Sequence, residues 1–409
     1  MNKILLISLI YPLPTKENKG TPVCHYFTRE WVKMGYDVRV VHIQAVYPHP
    51  FYWIAKLDAK RIAAKTGAVV YTRRLNQIEN YVMDDVPVMR VPVFKIIPHG
   101  KFSSFSVQKA VKNIIKDCSE SNFEPDVIIG HFPNPQIEIL SKLKKAFPFA
   151  KNCIVMHGDT ELMKNVYGSR LPLLMKDIDM WGFRSKANMN EFETIIGPVM
   201  NPFMCYSGIP KQYITKQNTH DFSKPLHDFV YVGLMIERKY PEKVLEALEA
   251  TYHTNDFQLD YVGEGQQLNV IRQEIDKKRL QKQVSILGRI PRDQIVEEYD
   301  KADCMIMISR GEAYGLVYLE AMARGCITIA SRNEGFDGVI VDGNNGFLCE
   351  AGNAKELSEI IRRINNMTPM ERQRISDNAI ETAKHLTDEN AARLYIEDVI
   401  ARAYNYHEY

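Results

Sequence analysis

Ser309-Arg310-Gly311-Glu312-Ala313-Tyr314-Gly315-Leu316-Val317-Tyr318-Leu319-Glu320-Ala321-Met322-Ala323-Arg324-Gly325 is the stretch from which the fold is read. It follows the apolar run Cys304–Ile308, which reads as a buried strand, so it falls at a strand's carboxyl end. Gly311 and Gly315 permit a tight turn and close backbone approach. A helix is predicted from about Gly315 to the stop at Gly325. The first turn of such a helix presents unpaired N–H groups and partial positive charge, which suits a diphosphate. Glu312 stands ahead of the helix and Glu320 within it, and two carboxylates at this separation can bracket one ligand, one near its reacting group and one on a ribose diol.

Outward from this stretch the same pattern repeats. Phe229–Val232 ends at Gly233, Gln258–Val262 at Gly263, Val284–Leu287 at Gly288 and Thr328–Ala330 at Ser331. Helical patterns lie between them at Pro241–Ala250, Leu268–Lys277 and Arg292–Lys301. In the first half, Ile4–Leu9, Val38–Ile43, Val88–Val91, Asp126–Ile129 and Cys153–Met156 read as strands, with a helix from about Val23 to Met34. Apolar β-branched runs separated by amphipathic helices indicate βαβ units. The fold class expected is α/β, with two doubly wound Rossmann-like domains facing each other across a cleft. The expected boundaries are an N-terminal domain over 1–206, a polar linker over 207–228 with Gly208, Pro210 and Pro225, and a C-terminal domain over 229–385. A last helix in 386–409, with Ala391, Leu394, Tyr395 and Val399 on one face, is expected to pack back across the domains.

Bulk properties narrow the function. With 409 residues the chain exceeds one ordinary core, and 45% hydrophobic residues fit a globular protein. Fifty-two basic and 50 acidic residues leave a formal charge of +2, which gives no support for nucleic-acid binding. Seven cysteines without a C-x-x-C pair read as core residues of a reducing compartment, neither a disulfide framework nor a zinc site. The apolar start Ile4–Ile10 reads as a buried strand rather than a signal peptide, and no run reaches the roughly 20 residues of a membrane helix, so a cytoplasmic location is expected. Residues 47–65 mix Phe51, Tyr52, Trp53, Ile54 and Leu57 with Lys56, Lys60, Arg61 and Lys65. Two readings stay open there: a helix packed on its own domain, which is preferred, and a helix lying on an anionic membrane surface. Gly263-Glu264-Gly265 lacks the third glycine of a dinucleotide fingerprint, and NAD binding is set aside.

The Glu-x7-Glu spacing of Glu312 and Glu320, followed by Ala-Met-Ala-Arg-Gly and Ile-Thr-Ile-Ala-Ser, resembles retaining glycosyltransferases of family 4, which have the GT-B fold. The resemblance implies that Glu312 contacts the donor sugar and that Glu320 holds the ribose hydroxyls. It implies that the backbone at Gly315-Leu316, beside Tyr314, holds phosphate or sugar oxygens. Tyr231-Val232-Gly233 followed by Glu237-Arg238-Lys239 is similar to the family's strand-glycine segment, with Lys239 as its phosphate-binding lysine. The loop around Gly20 corresponds to the family's first glycine-rich loop, and Val155-Met156-His157-Gly158 makes His157 the candidate near the sugar. His131, in Gly130-His131, reads equally as structural or cleft-lining.

The sequence departs from the family at several places. Leu234 stands where an arginine usually follows the glycine, with Arg238 or Arg310 as available substitutes. Glu334-Gly335 replaces Gly-Gly, and Asp337 replaces glutamate. The function implied is transfer of a sugar from a nucleotide-diphosphate sugar to a glycan or lipid-linked acceptor, retaining and metal-independent, in surface polysaccharide biosynthesis, with no further cofactor. No Asp-x-Asp is placed to hold a metal-diphosphate. The alternative function is a non-catalytic GT-B partner or regulatory protein that binds nucleotide sugar; an epimerase or phosphorylase of the same fold is a third.

Overall fold

The computed structural model describes residues 2–14, 22–66, 70–252 and 256–404, so Gly20 lies outside the described residues, as do the side chains of Lys60, Arg61 and residues 63–66. The chain forms two compact units. Unit 1 comprises Met1–Arg184, Asn188–Cys205 and Ala391–Tyr409; unit 2 comprises Ser185–Ala187 and Tyr206–Asn390.

Unit 1 is built on eight strands: β1 (Lys3–Ser8), β2 (Asp37–Val46), β3 (Glu79–Met83), β4 (Val86–Phe94), β5 (Val127–His131), β6 (Lys151–Met156), β7 (Met180–Phe183) and β8 (Pro202–Met204). Their order is β3-β4-β2-β1-β5-β6-β7-β8, parallel except for the edge strand β3. The unbroken apolar runs follow from burial on both sheet faces. In β1, Leu5 and Ile7 join one core layer while Ile4 and Leu6 join the other. The strand β3 escaped the sequence reading because Glu79-Asn80-Tyr81-Val82-Met83 is largely exposed and carries no apolar run. Asp84 and Asp85, both at positive φ, make the two-residue turn that pairs it with β4.

Unit 2 carries β9 (Asp228–Val232), β10 (Gln258–Val262), β11 (Val284–Gly288), β12 (Cys304–Ile306), β13 (Ile327–Ser331) and β14 (Phe347–Cys349). They form one parallel sheet in the order β11-β10-β9-β12-β13-β14. Residues 207–228 pack into this unit: Tyr213, Phe222 and Leu226 are buried in its core, and the Arg372 guanidinium donates to the Phe222 carbonyl. Apolar residues spaced through a polar segment were enough to seat it.

The helix Asp388–Tyr404 ends the described chain, and from Ala391 onward it belongs to unit 1. Ala391, Tyr395 and Val399 are buried there with Ala392, Ile396 and Ala403. Leu394, expected on the same face, is exposed. The buried stripe runs through 392, 395, 396, 399 and 403, which turns position 394 outward. Among the described residues, no helix is long and apolar enough to cross a membrane.

Candidate functional site

In unit 2 the strand order reverses between β9 and β12: the chain leaves β9 toward β10 on one side and β12 toward β13 on the other. Such a switch point leaves a crevice beyond the carboxyl ends of the two strands. The loop after β9 passes Gly233 and reaches Lys239 in the 3-10 turn Glu237–Lys239; the loop after β12 reaches Glu312. Lys239 Nζ lies 3.0 Å from Glu312 Oε2, with the side chains 12% and 16% exposed. The Met307 sulfur is 3.5 Å from the same ammonium. Gly233 borders it, since a Cβ added there would stand 3.5 Å from Lys239 Nζ.

Two glycines shape the approach. Gly315, at φ +91, is the N-cap of the helix Leu316–Arg324, and no side chain caps that end. Its amides are therefore open to an anion. Gly335 permits the Glu312 loop to lie against it, because a Cβ there would fall 2.4 Å from the Glu312 carbonyl oxygen and 2.5 Å from the Tyr314 nitrogen. Glu334, beside it, accepts from the Glu312 backbone N–H at 2.9 Å. Burial raises the Glu334 carboxyl above its ordinary range, against the backbone N–H groups of Glu312 and Gly311. Glu334 thus holds the loop that carries Glu312, a role no local sequence signal announced.

Glu320 is buried on the helix Leu316–Arg324; Arg292 Nε donates to its Oε1 at 2.8 Å, and Arg292 Nη2 is ion-paired to the same oxygen at 2.7 Å. Burial raises this carboxyl and Arg292 opposes the rise. The sequence reading picked out Glu320 and missed Arg292, which is no neighbour of it along the chain.

Other candidates take positions of a different kind. Arg238 donates from Nη1 to the carbonyls of Arg310, at 3.0 Å, and Gly311, at 3.2 Å, while the Arg310 N–H returns a bond to the Arg238 carbonyl at 2.7 Å. Its guanidinium staples the two site loops together. Tyr314 is buried, and its hydroxyl donates to the Ser207 carbonyl at 2.9 Å. Leu234 is 53% exposed. Leu316 is partly exposed in the helix's first turn.

His157 belongs to unit 1, at the end of β6. Its Nε2 is 3.0 Å from His131 Nδ1, and His131 Nε2 is 3.1 Å from the Tyr395 hydroxyl. The Phe132 ring stacks on His157 at 3.9 Å and 20°. Burial pushes His131 down to about 3 and His157 well below its ordinary value, with Arg184 adding to both effects. Burial thus favours the neutral form of both rings, and His131 stands behind His157 as its hydrogen-bond partner. Among the described residues, no group of three or more His, Cys, Asp or Glu is placed to hold a metal ion.

Residues 214–382 match the family model of Glycosyl transferases group 1. An uncharacterized glycosyltransferase of Methanocaldococcus jannaschii is 25% identical over 297 residues, covering 71% of this chain and 77% of that protein. N-acetyl-alpha-D-glucosaminyl L-malate synthase of Bacillus anthracis is 26% identical over 181 residues, covering 43% of this chain and 47% of that protein. Among solved structures, sucrose-phosphate synthase from Thermosynechococcus elongatus has a TM-score of 0.67 at 15% identity, covering 99% of this chain and 100% of that one. Anabaena HepE in complex with UDP has a TM-score of 0.67 at 15% identity, covering 98% and 100%. These structures share the GT-B fold with this chain, two parallel-sheet α/β units. Fold and family match together support a GT-B glycosyltransferase, with the matched segment spanning the unit 2 loops that carry Lys239, Glu312 and Glu320.

Proposed function

We propose that the chain is a retaining, metal-independent glycosyltransferase of the family 4 kind, which moves a sugar from a nucleotide-diphosphate donor to a glycan or lipid-linked acceptor in surface polysaccharide biosynthesis. The observation that carries this is the Lys239–Glu312 pair at the switch point of unit 2, beside an uncapped helix N-terminus. A departing nucleoside diphosphate gathers negative charge, and a lysine ammonium with backbone amides stabilises it in place of a metal ion. Donor binding draws Lys239 toward the diphosphate and frees the Glu312 carboxylate to orient the sugar. The bond from the anomeric carbon to the diphosphate oxygen breaks, the acceptor oxygen bonds to the same face of that carbon, and the acceptor proton passes to the departing diphosphate. Glu320 takes the ribose hydroxyls. His157 keeps the role of a contact to the sugar that the resemblance gives it.

HepE has been solved with UDP-glucose, which makes uridine donors the first to try. The enzyme works in the cytoplasm at the inner membrane face. Three observations support contact with the membrane. Trp53 and Leu57 are 68% and 87% exposed on a helix that buries Tyr52 and Ala55, and Phe105 is 82% exposed. The loop that carries Ile96 and Ile97, both exposed, leaves β4 beside the end of β2, from which the helix His49–Thr66 starts. Asp58 is the one acid among residues 49–78, against Lys56, Lys60, Arg61, Lys65, Arg73 and Arg74.

The test is a panel of uridine and guanosine diphosphate sugars, read by thermal shift and by release of labelled nucleotide. A donor that stabilises the protein and turns over in the presence of an acceptor or water supports the proposal. Stabilisation with no transfer and no slow hydrolysis, over a full acceptor panel, favours the non-catalytic partner that Leu234 suggests.

A further inference from the structure

Arg292 has no part in the donor site described so far. Its Nε donates to one oxygen of Glu320 at 2.8 Å, and its Nη2 forms an ion pair with the same oxygen at 2.7 Å. The carboxylate side chain is 5% exposed and the arginine side chain 32%, so Arg292 is the more accessible partner. Tyr213 supports it: the guanidinium lies 5.6 Å from the ring centroid, and the Tyr213 hydroxyl donates to the Arg292 carbonyl at 3.0 Å. Arg292 leaves the end of β11, whereas Glu320 comes from the helix Leu316–Arg324 and Tyr213 from the 3-10 turn Lys211–Tyr213. Three separate elements therefore fix one guanidinium beside one carboxylate.

A carboxylate alone offers only acceptors, whereas each ribose hydroxyl is both donor and acceptor. A planar guanidinium beside it supplies N–H donors in a fixed fork. We propose that Arg292 is a specificity-determining residue of the nucleotide site, which donates to a ribose oxygen while it fixes Glu320 to accept from the ribose hydroxyls. The site then distinguishes ribose from 2′-deoxyribose through the pair rather than through Glu320 alone. This rests on the donor-site reading above. A purely structural arginine, one that only neutralises a buried acid, would not discriminate between the two sugars.

The experiment is isothermal titration of the full chain and of Arg292→Lys and Arg292→Met with UDP, GDP and their 2′-deoxy counterparts, alongside urea unfolding. Arg292→Lys keeps the charge and loses the fork, so it serves if Arg292→Met folds poorly. The unchanged protein should prefer a ribonucleotide over its deoxy form by about tenfold, the size of one net hydrogen bond. In Arg292→Lys the ribonucleotide should weaken by about tenfold and the deoxy form much less, so that the preference falls toward one. Full discrimination in both variants, or equal weakening of ribo and deoxy forms, overturns the proposal. Failure of the unchanged protein to bind any of the four nucleotides overturns the donor-site reading itself, and the proposal with it.

Discussion

Lys239 Nζ and Glu312 Oε2 stand 3.0 Å apart although they belong to loops that leave different strands. Each is the other's counter-charge in a largely buried place. In the proposed reaction a donor diphosphate, with more charge and more oxygens, competes with the glutamate for the lysine.

Alanine at either position should lower transfer by about 10²–10³-fold, the range seen when one stabiliser of a developing charge is removed. Lys239→Ala also leaves a mostly buried carboxylate without its cation, at a cost of about 1–3 kcal/mol. Labelled-donor assays and urea unfolding separate the two effects. Full transfer in both variants would contradict the assignment.

Arg238 separates two roles. Its bonds to the carbonyls of Arg310 and Gly311 position the Glu312 loop. Arg238→Ala should therefore reduce kcat by about tenfold with little change in nucleoside diphosphate affinity, as expected when orientation rather than binding is lost. A large loss of affinity at unchanged kcat would instead make Arg238 a phosphate ligand.

Gly335 is a packing requirement of the site. In Gly335→Ala the new methyl would meet the Glu312 carbonyl oxygen at 2.4 Å. The loop has to move, at a cost of about 1–3 kcal/mol, and transfer should fall with it. Denaturant midpoint and activity measured together check this, and a fully active, equally stable variant would show that the loop adapts freely.

The buried histidines of unit 1 set an acid limit. Burial holds His42 and His131 at about 3, against an ordinary value of 6.5, and His157 is lowered too. Between those pH values the unfolded chain binds the extra protons. Stability therefore rises with pH across this window and is lost as pH falls from 6.5 toward 3. Each histidine contributes a slope of about 1.4 kcal/mol per pH unit. Trp31, Trp53 and Trp181 are the three tryptophans and all belong to unit 1, so their fluorescence reports its unfolding in urea. His131→Gln should flatten the slope between pH 6 and 4 by about that of one group. An unchanged slope would mean that His131 is charged in the folded protein.

The exposed apolar residues of unit 1 predict lipid binding. The full chain should sediment with vesicles containing anionic phospholipid, weakly with neutral ones, and less as salt rises. Trp53→Ser with Leu57→Ser should weaken that binding by at least tenfold, since two large apolar side chains no longer bury. Equal binding to neutral and anionic vesicles, or no binding to either, would contradict a charged lipid surface as partner.

Much of the fold was legible because buried parallel strands carry their own signal. Gln258–Val262 is a strand over the range its apolar run marks, and Leu316–Arg324 is a helix stopped by Gly325 as its pattern indicates. The carboxyl ends at Gly233, Gly263 and Gly288 were visible for the same reason, since chain punctuation is local. The edge strand β3 was not visible, because an exposed edge needs no apolar run, and Leu394 turned out because helix phase depends on which neighbours it meets.

The sequence by itself determined two α/β units and the loops at their strand ends, which follow from periodicity and punctuation within short windows; Glu312 and Glu320 stood out by their spacing, and Lys239 by the resemblance alone. Only the tertiary structure decided the protein partners: Glu312 for Lys239, Arg292 for Glu320, His131 for His157, and the carbonyls of Arg310 and Gly311 for Arg238. The physical reason is that a charge or hydrogen bond in a buried place is satisfied by whatever chain passes within about 3 Å, and which chain that is depends on strand order, not on distance along the sequence.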